Sequence, residues 1–195
     1  MRLLPIIAAA LVLSVTTLAA DFTKQDTADL NRLSDALNAI RSLKGEFVQL
    51  DPNGAMEEGE VYIQKPGKMR FEYKPPSTVL VVSDGTNVAV FNKKLNTKDR
   101  YPLSTTPLNI LLSDHVNLKG SSSVIGIDRK PSEIVVRARS NDRRVTGNIT
   151  IVFSDPDLAL KQWTVVDAQG LATTVTLRNV QTGITLAPEL FLTHG

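Results

Sequence analysis

The stretch from Gly59 to Asn92, GEVYIQKPGKMRFEYKPPSTVLVVSDGTNVAVFN, leaves the chain few ways to fold. Turns punctuate it at Lys65-Pro66-Gly67, Lys74-Pro75-Pro76 and Ser83-Asp84-Gly85, because proline pre-sets φ and glycine accepts positive φ. Between the turns the side chains alternate with period two. Val61, Ile63, Met69, Phe71, Tyr73, Val79, Val81, Val88 and Val90 fall on one face, while Glu60, Gln64, Lys68, Arg70, Glu72 and Lys74 fall mostly on the other. Four antiparallel strands with one apolar face are predicted, and that face must be covered by helices of the same chain or by a ligand.

The chain offers two helices. Asp26-Thr27 is suited to cap a helix over about Ala28–Leu43, in which Leu30, Leu33, Leu37 and Ile40 recur at spacings of three and four and Asp29, Arg32, Asp35 and Arg41 oppose them. Gly45 is read as its stop, and Glu46–Leu50 as the first strand, followed by a turn at Asp51-Pro52-Asn53-Gly54. Pro107, with Thr105 or Thr106 as cap, introduces a second helix over Leu108–Asp114, apolar nearly all round through Leu108, Ile110, Leu111 and Leu112. Lys93–Tyr101 reads as a polar loop. Strands are expected at Val124–Asp128, Glu133–Arg139, Gly147–Phe153, Ala159–Val166 and Ala172–Val180, with a short last one at Ile184–Leu186. About ten antiparallel strands and two helices imply one large curved sheet with the helices on its concave side.

Arg2, the hydrophobic run Leu3–Val15 and the small residues before Asp21 have the layout of a secretory signal peptide, too short for a permanent span. Residues 1–19 are assigned to it and 20–195 to a single domain. There is no cysteine, so no disulfide holds the fold and no lipid can anchor the exported chain at the cleavage site; a soluble exported protein is expected. Without Arg2 the chain carries 21 basic and 20 acidic residues, a balance that gives no reason to expect nucleic acid.

Catalytic chemistry finds little to work with. His115 follows a helix end and His194 lies in the last residues, so both read as solvated. No nucleophile elbow, phosphate loop, dinucleotide fingerprint or zinc-binding helix motif is present, and a metal site without cysteine and with two histidines is not expected. The densest acidic group, Glu57, Glu58 and Glu60, reads as a solvated strand edge. No enzymatic activity and no cofactor are expected.

The leucine-striped helix followed by Gly45-Glu46-Phe47-Val48-Gln49, then the KPGKMRFEY core, Ser83-Asp84-Gly85, Thr106-Pro107-Leu108 and the QWTVVDAQGLATTVTL run over Gln162–Leu177 resemble, in that order, the LolA family of periplasmic outer-membrane lipoprotein carriers. The resemblance spans nearly all of the mature chain. It implies an unclosed antiparallel β-barrel with a helical lid over a hydrophobic cavity. It implies a monomer that takes acylated lipoproteins from an inner-membrane ABC-type releasing complex and delivers them to an outer-membrane acceptor lipoprotein. On that reading Phe47, Val61, Ile63, Met69, Phe71, Val79, Val81, Leu108, Leu111, Leu112 and Trp163 would contact the acyl chains, and Leu30, Leu33, Leu37 and Ile40 would form the lid. Where the family commonly carries an arginine that latches the lid, this chain has Lys65, which supplies donors but no planar fork. The alternative expectation is a periplasmic sensor of the same fold that detects lipid or mislocalised lipoprotein.

Overall fold

In the computed structural model, which describes residues 22–120, 124–139, 145 and 147–193, eleven antiparallel strands form one sheet. The proposed signal peptide and His194 lie outside the described residues. The strands are β1 (Ser42–Leu50), β2 (Met56–Gln64), β3 (Lys68–Tyr73), β4 (Val79–Asp84), β5 (Asn87–Asn92), β6 (Thr97–Pro102), β7 (Val124–Lys130), β8 (Glu133–Ala138), β9 (Asn148–Ser154), β10 (Leu160–Val166) and β11 (Ala172–Thr182). Their spatial order is β6-β5-β4-β3-β2-β1-β11-β10-β9-β8-β7. Edge strands β6 and β7 do not pair with one another, so the barrel is unclosed. Residues 103–120, between them in sequence, roof the concave face through Leu103, Leu111, Leu112, Val116 and Leu118.

The central meander forms as its alternation requires. Val61 opposes Phe71 and Ile63 opposes Met69 across β2 and β3; Phe71 then opposes Val81, which opposes Val90. Gly67 takes φ +72° in the first turn, where a Cβ would come within 2.7 Å of the Gly85 backbone, so a glycine is required there. Glu58 is exposed and Glu57 and Glu60 are half-buried, but β2 lies between β1 and β3 and is no edge. Glu60 instead accepts from the Tyr62 hydroxyl at 2.7 Å and pairs with Lys44, while Glu58 pairs with Lys74.

Several sequence expectations are corrected. Helix α1 spans Lys24–Ala39 rather than Ala28–Leu43. Its start is a capping box: the Asp26 amide donates to Thr23 Oγ1, and the Thr23 amide donates back to the Asp26 carboxylate. Leu43, although spaced like the helical leucines, lies in β1 opposite Ile63, and Gly45 sits within β1 at a bulge against β11. Lys93–Tyr101 is not all loop, since Thr97–Pro102 pairs with β5 as the exposed strand β6. Helix α2 is a single turn, Asn109–Leu112, preceded by a 3₁₀ turn at Leu103–Thr105, and no threonine side chain caps it. Ile184–Leu186 is no strand. The chain there leads into a 3₁₀ helix, Pro188–Phe191, packed on β3 and β4. Arg70 donates to Leu190 O and Thr193 Oγ1 to Asp84, which places this tail on the convex face, where Val82 and Ala89 are buried.

Candidate lipid-binding cavity beside a helical lid

The stripe on α1 turns inward as its spacing demands: Leu30, Leu33 and Leu37 are buried, with Ile40 packed beside them. They share one core with Leu43, Phe47, Val61, Ile63, Met69 and Phe71 from the first half of the sheet, and with Trp163, Val175 and Leu177 from the second. Phe47 meets Phe71 and Tyr73 edge-on at ring separations of 4.8 and 5.0 Å, and Phe71 meets Trp163 edge-on at 6.2 Å. The Tyr73 hydroxyl donates to Gln49 at 2.7 Å. Burial and the nearby Glu57 push its ionisation well above the usual phenol range.

Helix α1 is held at both ends. At its C-terminal end the Lys65 ammonium, 7% exposed, donates to Leu37 O at 2.9 Å, and the Lys65 amide donates to Arg41 O. Lys65 thereby satisfies a carbonyl that the last helical turn leaves unpaired. Burial, with Arg41 nearby and Asp114 opposing, lowers its pKa from 10.5 to about 8. The roof segment is sewn to the same helix: Asn38 exchanges hydrogen bonds with the Val116 backbone, Ser34 Oγ accepts from the Leu118 amide, and Arg41 pairs with Asp114 at 2.7 Å. The Gly67 amide donates to Leu112 O, tying α2 to the turn that carries Lys65. At the N-terminal end, Arg129 on β7 bridges Asp26 and Asp29.

Beyond α1 the concave face is hollow. One compartment of about 250 Å³ is walled by Phe71, Tyr73, Trp163, Val175 and Gln49, among others. A second, of about 660 Å³, opens past Tyr101, Thr105 to Pro107 and Asp167 to Gln169. Met69, Val81, Leu108 and Val165 belong to both walls, so the two are parts of one cavity. Its lining is mostly apolar, with Gln49, Tyr73 and Thr173 as the polar residues of the smaller compartment and Thr105, Thr106, Asp167 and Gln169 among those of the larger.

Of the residues expected to contact acyl chains, Met69, Phe71, Val81, Leu108 and Trp163 stand in these walls. Phe47, Val61, Ile63, Leu111 and Leu112 are buried in the packed core instead. Val79 shares their face but pairs with Asn92 at the sheet's end, outside both walls. Val88, Tyr101, Val165, Thr173 and Val175 were not among the expected residues, although register carries them there: Val165 opposes Thr173 and Val175 opposes Trp163. Alternation within β10 and β11 carries that signal once the two strands are paired. His115 is 87% exposed beside Asp114. Among the described residues no group of three or more His, Cys, Asp or Glu is placed to hold a metal, and no helix is long and apolar enough to cross a membrane.

The profile of the family described as "Outer membrane lipoprotein carrier protein LolA" matches residues 38–194, most of the chain. The chain belongs to the LolA family. This is a family of carriers, and its profile begins within α1 and takes in the whole sheet. An outer-membrane lipoprotein carrier protein from Methylococcus capsulatus is 26% identical over 178 residues, covering 87% of this chain and 85% of that protein. Another, from Chromohalobacter salexigens, is 29% identical over 140 residues, covering 69% of this chain and 63% of its own length. Among solved structures, a DUF1329 family protein from Desulfovibrio piger superposes with a TM-score of 0.53 at 10% identity, over 86% of this chain and 96% of that one, a likeness of fold alone. The unclosed antiparallel barrel with its helical lid and hydrophobic cavity is thus the fold of this LolA-family chain.

Proposed function

We propose that this LolA-family protein works in the periplasm as a carrier that shields the acyl chains of lipoproteins released from the inner membrane and delivers them to the outer membrane. The apolar cavity beside a helical lid that no strand pairing holds down is the observation that carries this reading. Burying a methylene gains about 0.8 kcal/mol, so a long acyl chain cannot leave a bilayer for water without such a shelter. The same bookkeeping demands a device for release. Here the lid supplies it, because Leu30, Leu33 and Leu37 occupy apolar wall that incoming chains would compete for. Displacing α1 would bare Phe47, Val61, Ile63, Leu111 and Leu112 and so enlarge the site; Val79 would extend it at the sheet's end. Lys65 would serve as the latch, since its contact with Leu37 O must break for α1 to leave. An ABC-type complex in the inner membrane would load the carrier, and an outer-membrane acceptor lipoprotein would unload it.

Mass spectrometry of the protein drawn from periplasm without detergent tests this directly. Acylated lipoproteins are expected to co-purify, more abundantly with Lys65→Leu, which weakens the latch. Phospholipid or fatty acid alone in both samples would replace the lipoprotein carrier with a lipid sensor or lipid carrier.

A further inference from the structure

No residue of α1 lines either compartment of the cavity; the roof over them is Thr105 to Leu108. The seated helix covers the filled part of the concave face, and the hollow part lies beside it. We infer that the hollow part is a preformed site for one acyl chain with an uncharged head, filled while α1 stays seated. This deepens the carrier reading and rests on it: α1 would be displaced only by the chains that follow.

Size supports the division. A methylene takes up about the liquid-volume share of one water, roughly 30 Å³, so the 250 Å³ compartment holds about eight. The 660 Å³ compartment has room for the remainder and the head group. Three chains of some sixteen carbons need on the order of 1,400 Å³ on the same scale, more than both compartments offer. In the smaller compartment Phe71, Val81, Trp163 and Val175 suit a saturated chain, beside the uncharged polar groups of Gln49 and Thr173.

The rim sets the head group. Asp167 stands at the mouth with one carboxylate oxygen fixed by the Gln169 and Leu171 amides, at 2.8 and 2.9 Å. Thr105 and Thr106 also line this mouth, and their hydroxyls donate to Pro102 O and Leu103 O, which leaves them only acceptor capacity. Among the described residues, no basic side chain lines this mouth. A carboxylate or phosphate head would meet a like charge and acceptors there, whereas an ester or amide head with hydroxyl or N–H donors would be received.

Two features of the chain make the test clean. Trp163 is the sole tryptophan and lies on the cavity wall, so its emission reports occupancy. There is no cysteine, so Leu33→Cys places a single thiol at a fully buried position on α1 whose labelling rate reports the helix leaving. Leu30→Cys serves if that variant does not fold. Monododecanoylglycerol, below its micelle-forming concentration, is expected to shift Trp163 emission and leave the labelling rate within twofold of the ligand-free value. A triacylated lipopeptide is expected to raise that rate more than tenfold, and dodecanoate at neutral pH to bind at least fivefold more weakly than the glyceride. Equal acceleration of labelling by the glyceride and the lipopeptide would overturn the inference while leaving the carrier reading intact. So would lipopeptide binding without any glyceride response. If neither probe binds, the carrier reading itself fails.

Discussion

Arg129, on the edge strand β7, donates through Nε to Asp29 on α1 at 2.7 Å, across 100 positions of sequence. Asp29 is buried, and Gln25 and Arg32 also donate to it. Through Nη1 the same guanidinium reaches Asp26, the residue that closes the capping box. Arg129→Met removes the main partner of a buried carboxylate and should cost about 1–3 kcal/mol. Amide hydrogen exchange is expected to quicken first at the start of α1, with β2 and β3 still protected. Uniform quickening throughout the sheet would mean that the bridge supports the whole fold and not the lid.

Acid should release this end of the lid. Hydrogen bonds from the Thr23 side chain and backbone, then Arg129, hold Asp26 below its usual 3.8. Burial raises Asp29, but donors from Arg129, Gln25 and Arg32 outweigh it and the net shift is also downward. A carboxyl depressed in the folded state stabilises it above the unfolded value, and that stability is lost as pH falls through the folded one. The protection of α1 amides is therefore expected to decline below about pH 4 in the wild type, and much less in the double variant Asp26→Asn, Asp29→Asn.

Lys65 makes the opposite end respond to pH in a higher window and with the same sign, because its pKa too is lowered on folding. Its pKa falls from 10.5 to about 8 on folding, so between these values the unfolded chain holds a proton that the folded one has shed. Stability must then rise with pH through that window. Chemical denaturation at pH 7.5 and 9.5 is expected to show a gain of at most ~3 kcal/mol relative to Lys65→Arg, whose guanidinium does not titrate there. A flat difference would place Lys65 in water, away from Leu37 O.

Gly59 faces Phe47 on β1 and Tyr73 on β3. A Cβ there would come within 2.7 Å of Phe47 Cε1 and collide with the Glu72 carbonyl. Because backbone blocks it, the strand must shift, and Gly59→Ala should cost about 3 kcal/mol or more. The aromatic row Tyr73–Phe47–Phe71–Trp163 stands over this glycine, so near-ultraviolet circular dichroism should collapse before the far-ultraviolet strand signal. An unchanged melting temperature would rule this packing out.

The meander was legible because each of its strands buries one face and wets the other. β6, Thr-Lys-Asp-Arg-Tyr-Pro, carries no such contrast: it is an edge strand exposed throughout, and its polarity hid its pairing with β5. The limits of α1 were misread for two local reasons. Leu43 extends the helical spacing past Leu37 and Ile40 although its backbone is extended, and the Thr23–Asp26 box sits one turn ahead of the chosen cap. For the cavity, alternation correctly put Met69, Phe71 and Val81 on the concave face. It could not separate them from Val61 and Ile63, because whether a face is filled or hollow depends on where α1 lies across it. Lys65 was identifiable by position, but its burial comes from the roof segment and helix that close over it.

The sheet order also divides the chain into two meanders, β1–β6 and β7–β11, each made of hairpins between consecutive strands. A single ladder joins them, β1 with β11, in which Phe47 meets Leu177. Hairpins close quickly, whereas bringing such distant strands together bears the entropy of a long loop and comes late. The cavity wall takes Met69 and Val81 from one meander and Trp163 and Val165 from the other. Before that ladder zips, the chain owns no pocket at all, only two greasy half-surfaces. The same apolar side chains that make a carrier of the finished protein make its unfinished form the species most prone to aggregate.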